Sequence, residues 1–123
     1  MKLEVGMYVR LQNDAENIVI INRIANVFET TILTENDGSI YQGEYTKENV
    51  IKASYNIINI LEVGDYVNGN KVIEIEKNYK FIDGTIRDIL WTDTKMQKAI
   101  WDETIKSIIT KEQMEQIAYK VGE

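Results

Sequence analysis

The heptapeptide Leu3-Glu4-Val5-Gly6-Met7-Tyr8-Val9 returns as Leu61-Glu62-Val63-Gly64-Asp65-Tyr66-Val67, identical at six of seven positions. In a chain of 123 residues, a repeat at that spacing leaves room for two copies of one small unit and little else. A weaker echo lies downstream, where Val50-Ile51-Lys52-Ala53 resembles Thr104-Ile105-Lys106-Ser107 in the same order and at nearly the same separation. Together they predict two units, residues 1–58 and 59–123, with no Pro-, Gly- or Ser-rich linker between them. Units of about 60 residues are marginal alone, so burial between units or between protomers is expected, and with it a homo-oligomer.

Alternation inside the motif has a period of two. Leu3, Val5, Met7, Val9 and Leu11 fall on one side, and Glu4, Tyr8 and Arg10 on the other, which predicts a half-buried strand with Arg10 and Tyr8 on its outward face. Gly6 and Gly64 interrupt the two strands at matching places, where a residue without Cβ permits a bulge. Asn68-Gly69 predicts a type I′ hairpin turn before a strand over Lys71 to Ile75. Further turns are expected at Asn13-Asp14, Asn36-Asp37-Gly38 and Asp83-Gly84, with strands at Ile18 to Ile21, Thr30 to Leu33, Tyr79 to Ile82 and Thr85 to Trp91. Several short strands at regular spacing predict an all-β sandwich or barrel.

Helix is scarce. Thr110-Lys111-Glu112-Gln113 has the capping-box pattern and predicts a short helix over Lys111 to Ile117, followed by a last strand at Tyr119 to Val121. The stretch Thr94 to Trp101 suits either a helix or a hairpin.

Composition narrows the chemistry. The chain has neither Cys nor His, which removes thiolate nucleophiles, sulfur-ligated metals and the usual general base near neutral pH. The seven glycines stand singly, without a phosphate-cradling Gly-rich loop. Ser39, Ser54 and Ser107 lack a histidine partner, and the spacing of Glu74 and Glu76 puts both on a solvent-facing strand side. No catalytic residue, metal or cofactor is therefore expected. The net charge of −6 argues against broad nucleic-acid binding, and no basic leader or long apolar run is present, so no membrane partner and a cytoplasmic location are expected.

The Val-Gly-Met/Asp-Tyr-Val strand, the tight turn, the second apolar strand and an acidic turn such as Thr46-Lys47-Glu48-Asn49 before a closing strand resemble a small SH3-like barrel. The implied fold is all-β, two tandem SH3-like barrels with a short C-terminal helix. The whole chain also resembles small uncharacterised proteins of phages and prophages of low-GC Gram-positive bacteria. That likeness is carried by Glu48 to Ser54, Leu61 to Gly69, and Lys106 to Gln113 through Tyr119 to Glu123. It implies a place among accessory proteins that counter host defence, by sequestering a nucleotide immune signal or by masking a host defence protein. A structural or regulatory phage role is a third alternative. The resemblance transfers no site residues.

Candidate ligand-binding residues come from the chemistry of nucleotide recognition, in which an aromatic ring stacks on a base and an arginine engages phosphate. Tyr8 and Tyr66 hold equivalent repeat positions, and Arg10 shares the strand face of Tyr8. Arg23 and Arg87 complete the arginines, and Arg87 lies on the same alternating run as Trp91, making that pair the cation and ring of the second unit.

Overall fold

The structure, a computed structural model, describes residues 2–35, 42–94 and 99–122. The chain divides into two compact units, Met1–Ile60 and Leu61–Glu123, a boundary two residues beyond the expected one. Unit 1 contains β1 (Tyr8–Asn13), β2 (Ile18–Val27), β3 (Thr31–Glu35), β4 (Gln42–Thr46) and β5 (Val50–Ser54). Short 3-10 helices lie at Lys47–Asn49 and Ile57–Ile60. Unit 2 contains β6 (Tyr66–Val67), β7 (Asn70–Lys80), β8 (Ile86–Thr92), β9 (Ala99–Ile100), a 3-10 helix at Asp102–Thr104, β10 (Ile108–Ile109) and α1 (Lys111–Gly122).

The protein is mainly β, with two antiparallel five-stranded sheets ordered β4-β3-β2-β1-β5 and β10-β6-β7-β8-β9. Read from opposite ends, the two orders coincide. A long second strand, β2 or β7, pairs with its predecessor and its successor, and the last strand pairs back onto the first. Both long strands are bulged, β2 between Ile24 and Asn26 and β7 between Val72 and Glu74 and again between Glu76 and Tyr79. A bulge adds a residue and increases local twist, so one strand can serve two differently directed neighbours. Among the described residues neither sheet closes on itself.

Alternating side chains supply the buried face of unit 1, where Val9, Leu11, Ile24 and Ile32 form the core, with Leu3, Met7, Val27, Tyr45 and Val50 packed around it. In unit 2, Val67, Val72, Ile89 and Leu90 are fully buried. Removing each such side chain from water contributes about 1.5–3 kcal/mol. Among the described residues no helix is long and apolar enough to cross a membrane.

The repeat is visible in the backbone, although not as a strand from Leu3. β1 and β6 begin only at Tyr8 and Tyr66, and the residues before them form a turn. Met7 N–H donates to Glu4 O at 3.2 Å and Asp65 N–H to Glu62 O at 3.0 Å, while Gly6 and Gly64 take φ of +92° and +101°. That left-handed conformation is strained for any residue with a Cβ, which is why both copies have glycine there. The turn puts Val5 and Val63 into solvent, against the alternation that placed Val5 with Val9. It also hooks onto the long strand by two further bonds. Gly6 N–H donates to Ile24 O at 2.9 Å and Ile24 N–H to Met7 O at 2.8 Å. In unit 2, Gly64 N–H donates to Val72 O at 2.9 Å and Val72 N–H to Asp65 O at 2.8 Å.

Three other expectations change. The downstream echo is one residue out of register, because Val50 matches Ile105. Each terminates a 3-10 helix, with φ, ψ of −77°, 120° and −76°, 120°. No strand forms at Tyr119 to Val121, because α1 continues unbroken to Gly122 without a proline to stop it. Ala99–Ile100 pairs with Leu90 and Trp91, which resolves this end of the helix-or-hairpin segment as strand, and 95–98 lie outside the described residues. So does the turn expected at Asn36-Asp37-Gly38. Asn68 and Gly69 adopt φ of +53° and +82°, as a type I′ turn requires.

Candidate functional site

Six residues were selected by chemistry, and the structure brings two of them together in unit 1. Tyr8 of β1 and Arg23 of β2 are direct cross-strand partners, so their side chains leave the same face of the sheet. Tyr8 is half-buried and Arg23 is exposed, and the guanidinium makes no hydrogen bond or ion pair among the described residues. Gly6 lies beside them. A Cβ built on Gly6 would stand 3.9 Å from Arg23 Nη2 and 3.6 Å from Tyr55 Cε1. The repeat glycine is thus flanked by a guanidinium and a phenol ring.

Tyr55 was not among the six, although it is 57% exposed and sits one residue past β5. Partial removal from water, the charge of Glu4 and a hydrogen bond to that carboxylate all raise its phenol above the ordinary tyrosine range. Glu4 is therefore the charged neighbour of the ring. Nothing local in the sequence announces this, because Glu4 and Tyr55 meet only through the pairing of β1 with β5.

Arg10 does not join the site. Its residue is 1% exposed, and Nη1 donates to Ile60 O at 3.4 Å, so the expectation of an outward-facing Arg10 is overturned. Alternation placed it correctly on the sheet face opposite Val9 and Leu11, but that face is closed at Arg10 and open at Arg23.

In unit 2, Tyr66 is paired with Lys71 as Tyr8 is with Arg23. Over Gly64, however, lies Lys111, with Cδ and Cβ at 3.5 and 3.6 Å from where a Cβ would be. The Lys111 ammonium meets Glu62 Oε1 at 2.7 Å, and the Lys111 N–H donates to Asp65 Oδ1 at 2.9 Å.

Arg87 and Trp91 belong to a separate cluster on β7, β8 and the residue after β9. Tyr79 lies edge-to-face with Phe81 (5.1 Å between centroids) and with Trp91 (6.1 Å), and Phe81 with Trp101 (5.8 Å). Arg87 stands over Trp101, 5.6 Å from its centroid, with Glu103 at 3.9 Å, so its aromatic partner is Trp101 rather than Trp91. The Trp91 indole N–H donates to Glu76 Oε1 at 3.0 Å. These rings satisfy one another, and Arg87 is already engaged by a ring and a carboxylate. At the adjoining turn, Asp83 accepts bonds from the Thr85 N–H and hydroxyl at 3.0 and 2.7 Å. Those bonds, with the charge of Arg87, hold its carboxyl below the ordinary range.

Among the described residues no group of Asp and Glu is arranged to hold a metal ion. No protein-family model, no curated protein and no solved structure matches the chain.

Proposed function

We propose that the chain is a phage-encoded, non-enzymatic binding protein that counters host defence by sequestering a nucleotide immune signal. Two tandem SH3-like units form its scaffold, and it acts in the host cytoplasm as a homo-oligomer. Support for the SH3-like reading comes from the strand order, in which the fifth strand returns to pair with the first after a 3-10 turn, in both units.

The nucleotide reading is carried by the pairing of Tyr8 with an exposed Arg23, unengaged among the described residues, beside Gly6 and Tyr55. A guanidinium binds phosphate through parallel charge-assisted bonds, and an exposed ring supplies a stacking surface for a base. The remaining arginines are engaged elsewhere, Arg10 inside unit 1 and Arg87 on Trp101.

Native mass spectrometry of the protein with extract of infected, defence-active cells tests this directly, since it reports subunit count and bound mass together. A nucleotide-sized mass lost on Arg23→Ala is the expected result. Retention of that mass in the variant would remove the site assignment. A protein-sized mass would instead favour masking of a host defence protein. One feature points that way: the turn between β7 and β8 leaves Ile82 fully exposed, and Ile86 at the start of β8 is 62% exposed.

A further inference from the structure

We infer that the side chain lying over each repeat glycine decides whether that unit accepts a ligand: Tyr55 opens unit 1 and Lys111 closes unit 2. The inference rests on the nucleotide site proposed above and uses the internal duplication as its control.

What the two units share is extensive. Each has the glycine turn, held to the long strand by the same hydrogen bonds. Each has a tyrosine, Tyr8 or Tyr66, opposite an exposed cation, Arg23 or Lys71. Each begins the turn with a glutamate beside the group over the glycine: Glu4 raises the Tyr55 phenol by its charge, and Glu62 forms an ion pair with Lys111.

The difference lies in that group. In unit 1 it is an aromatic ring exposed over much of its surface. In unit 2 it is an alkyl stem tethered at both ends, by its backbone N–H to Asp65 and by its ammonium to Glu62. A flat ligand approaching Gly64 meets an alkyl stem where unit 1 presents a ring on which to stack. Approaching the glutamate instead, it must break a 2.7 Å ion pair. The duplicated cradle therefore has one working copy, and one equivalent of ligand binds per chain.

Exchanging the two side chains tests this. The probes are adenosine and guanosine 5′-monophosphates and cyclic dinucleotides, with stoichiometry from equilibrium dialysis. Location is read from the amide resonances of Gly6 and Gly64, whose N–H groups bond to the long strands. Tyr55→Lys places an ammonium on Glu4 and is expected to weaken binding about tenfold or more, the loss of one stacking contact. Lys111→Tyr is expected to raise the stoichiometry from one to two and to shift Gly64. Circular dichroism and thermal unfolding confirm that each variant is folded.

If the natural chain binds one equivalent while Tyr55→Lys binds it equally well, the selector role is refuted. A Lys111→Tyr chain that stays at one equivalent refutes it as well. Failure of the natural chain to bind any probe overturns the nucleotide reading itself, a result distinct from either of these.

Discussion

Unit 1 has Met7 where unit 2 has Asp65, the one position at which the seven-residue repeats disagree. Met7 packs against the core of unit 1. Asp65 is fully buried, and its carboxylate accepts the Glu62 N–H at 2.8 Å and the Lys111 N–H at 2.9 Å. The second bond fastens the start of α1, which has no counterpart among the described residues of unit 1. Thr110 and Gln113 complete the helix start by capping each other's backbone N–H groups, at 2.9 and 3.1 Å. One substitution in a duplicated motif thus accompanies a new element and the covering of Gly64. The lesson is that an unchanged backbone turn can lead to different surfaces when a single buried side chain changes from apolar to hydrogen-bonding.

A second contrast falls at Arg10 and Asn68, the residues immediately after the repeats. Both are polar groups that tie a later segment of their own unit back to its first strand. Arg10 reaches Ile60 O. Asn68 turns the chain and donates to Thr104 O at 2.9 Å while accepting from Lys106 N–H at 2.7 Å and Ser107 N–H at 3.2 Å. Its amide substitutes for ladder bonds that β5 makes with β1, which is why β10 is only two residues long.

The contrast between the units is open to mutation. Asp65→Met, which gives unit 2 the residue of unit 1, leaves two backbone donors without their carboxylate. It should cost about 3–5 kcal/mol in urea unfolding and lower the helical signal, since each charge-assisted bond is worth about 1.5–3 kcal/mol. Unchanged stability would mean the helix start needs no anchor. Arg10→Ala should cost about 3 kcal/mol, through the lost bond and the lost packing of a buried stem, with nucleotide affinity of the folded protein unchanged. A fall in affinity at full stability would return Arg10 to the binding site.

Arg23→Ala should do the reverse. Its stability should stay within about 0.5 kcal/mol of the natural chain, and its nucleotide affinity should drop by about 1.5–3 kcal/mol, measured by calorimetry.

The smallest effect concerns pH. Because the phenol of Tyr55 is raised in the folded chain, the stability it contributes is fully present below the ordinary tyrosine pKa and is lost as pH rises through the folded value. Glu4→Gln removes the neighbouring charge and should move the Tyr55 ionisation back toward the ordinary range in an ultraviolet titration. An unmoved titration would show that Glu4 is not what raises the phenol.

Legibility followed the range of the interactions. The Asn68-Gly69 turn, the β-rich character and the start of α1 rest on contacts within a few residues, and all were readable from local residue types. Period-two alternation found Val9 and Leu11, yet it misplaced Val5, because a glycine in the left-handed region turns the chain before the strand begins. Of the candidate site, Tyr8 and Arg23 were named from the sequence, but their pairing depends on the register of β1 against β2. Tyr55 and Trp101 were missed as partners because each reaches its neighbour across strands far apart in the chain.

By itself the sequence determined the duplication, the turn residues and the absence of cysteine and histidine chemistry, since these are properties of residue type and local spacing. Only the tertiary structure decided which arginine is buried and which is exposed. It likewise decided which ring Arg87 covers and which side chain lies over each repeat glycine. A side chain's surroundings depend on the strands and helix that fold back over it, and no spacing along one strand encodes what arrives from 45 residues or more away, as Tyr55 and Lys111 do at Gly6 and Gly64.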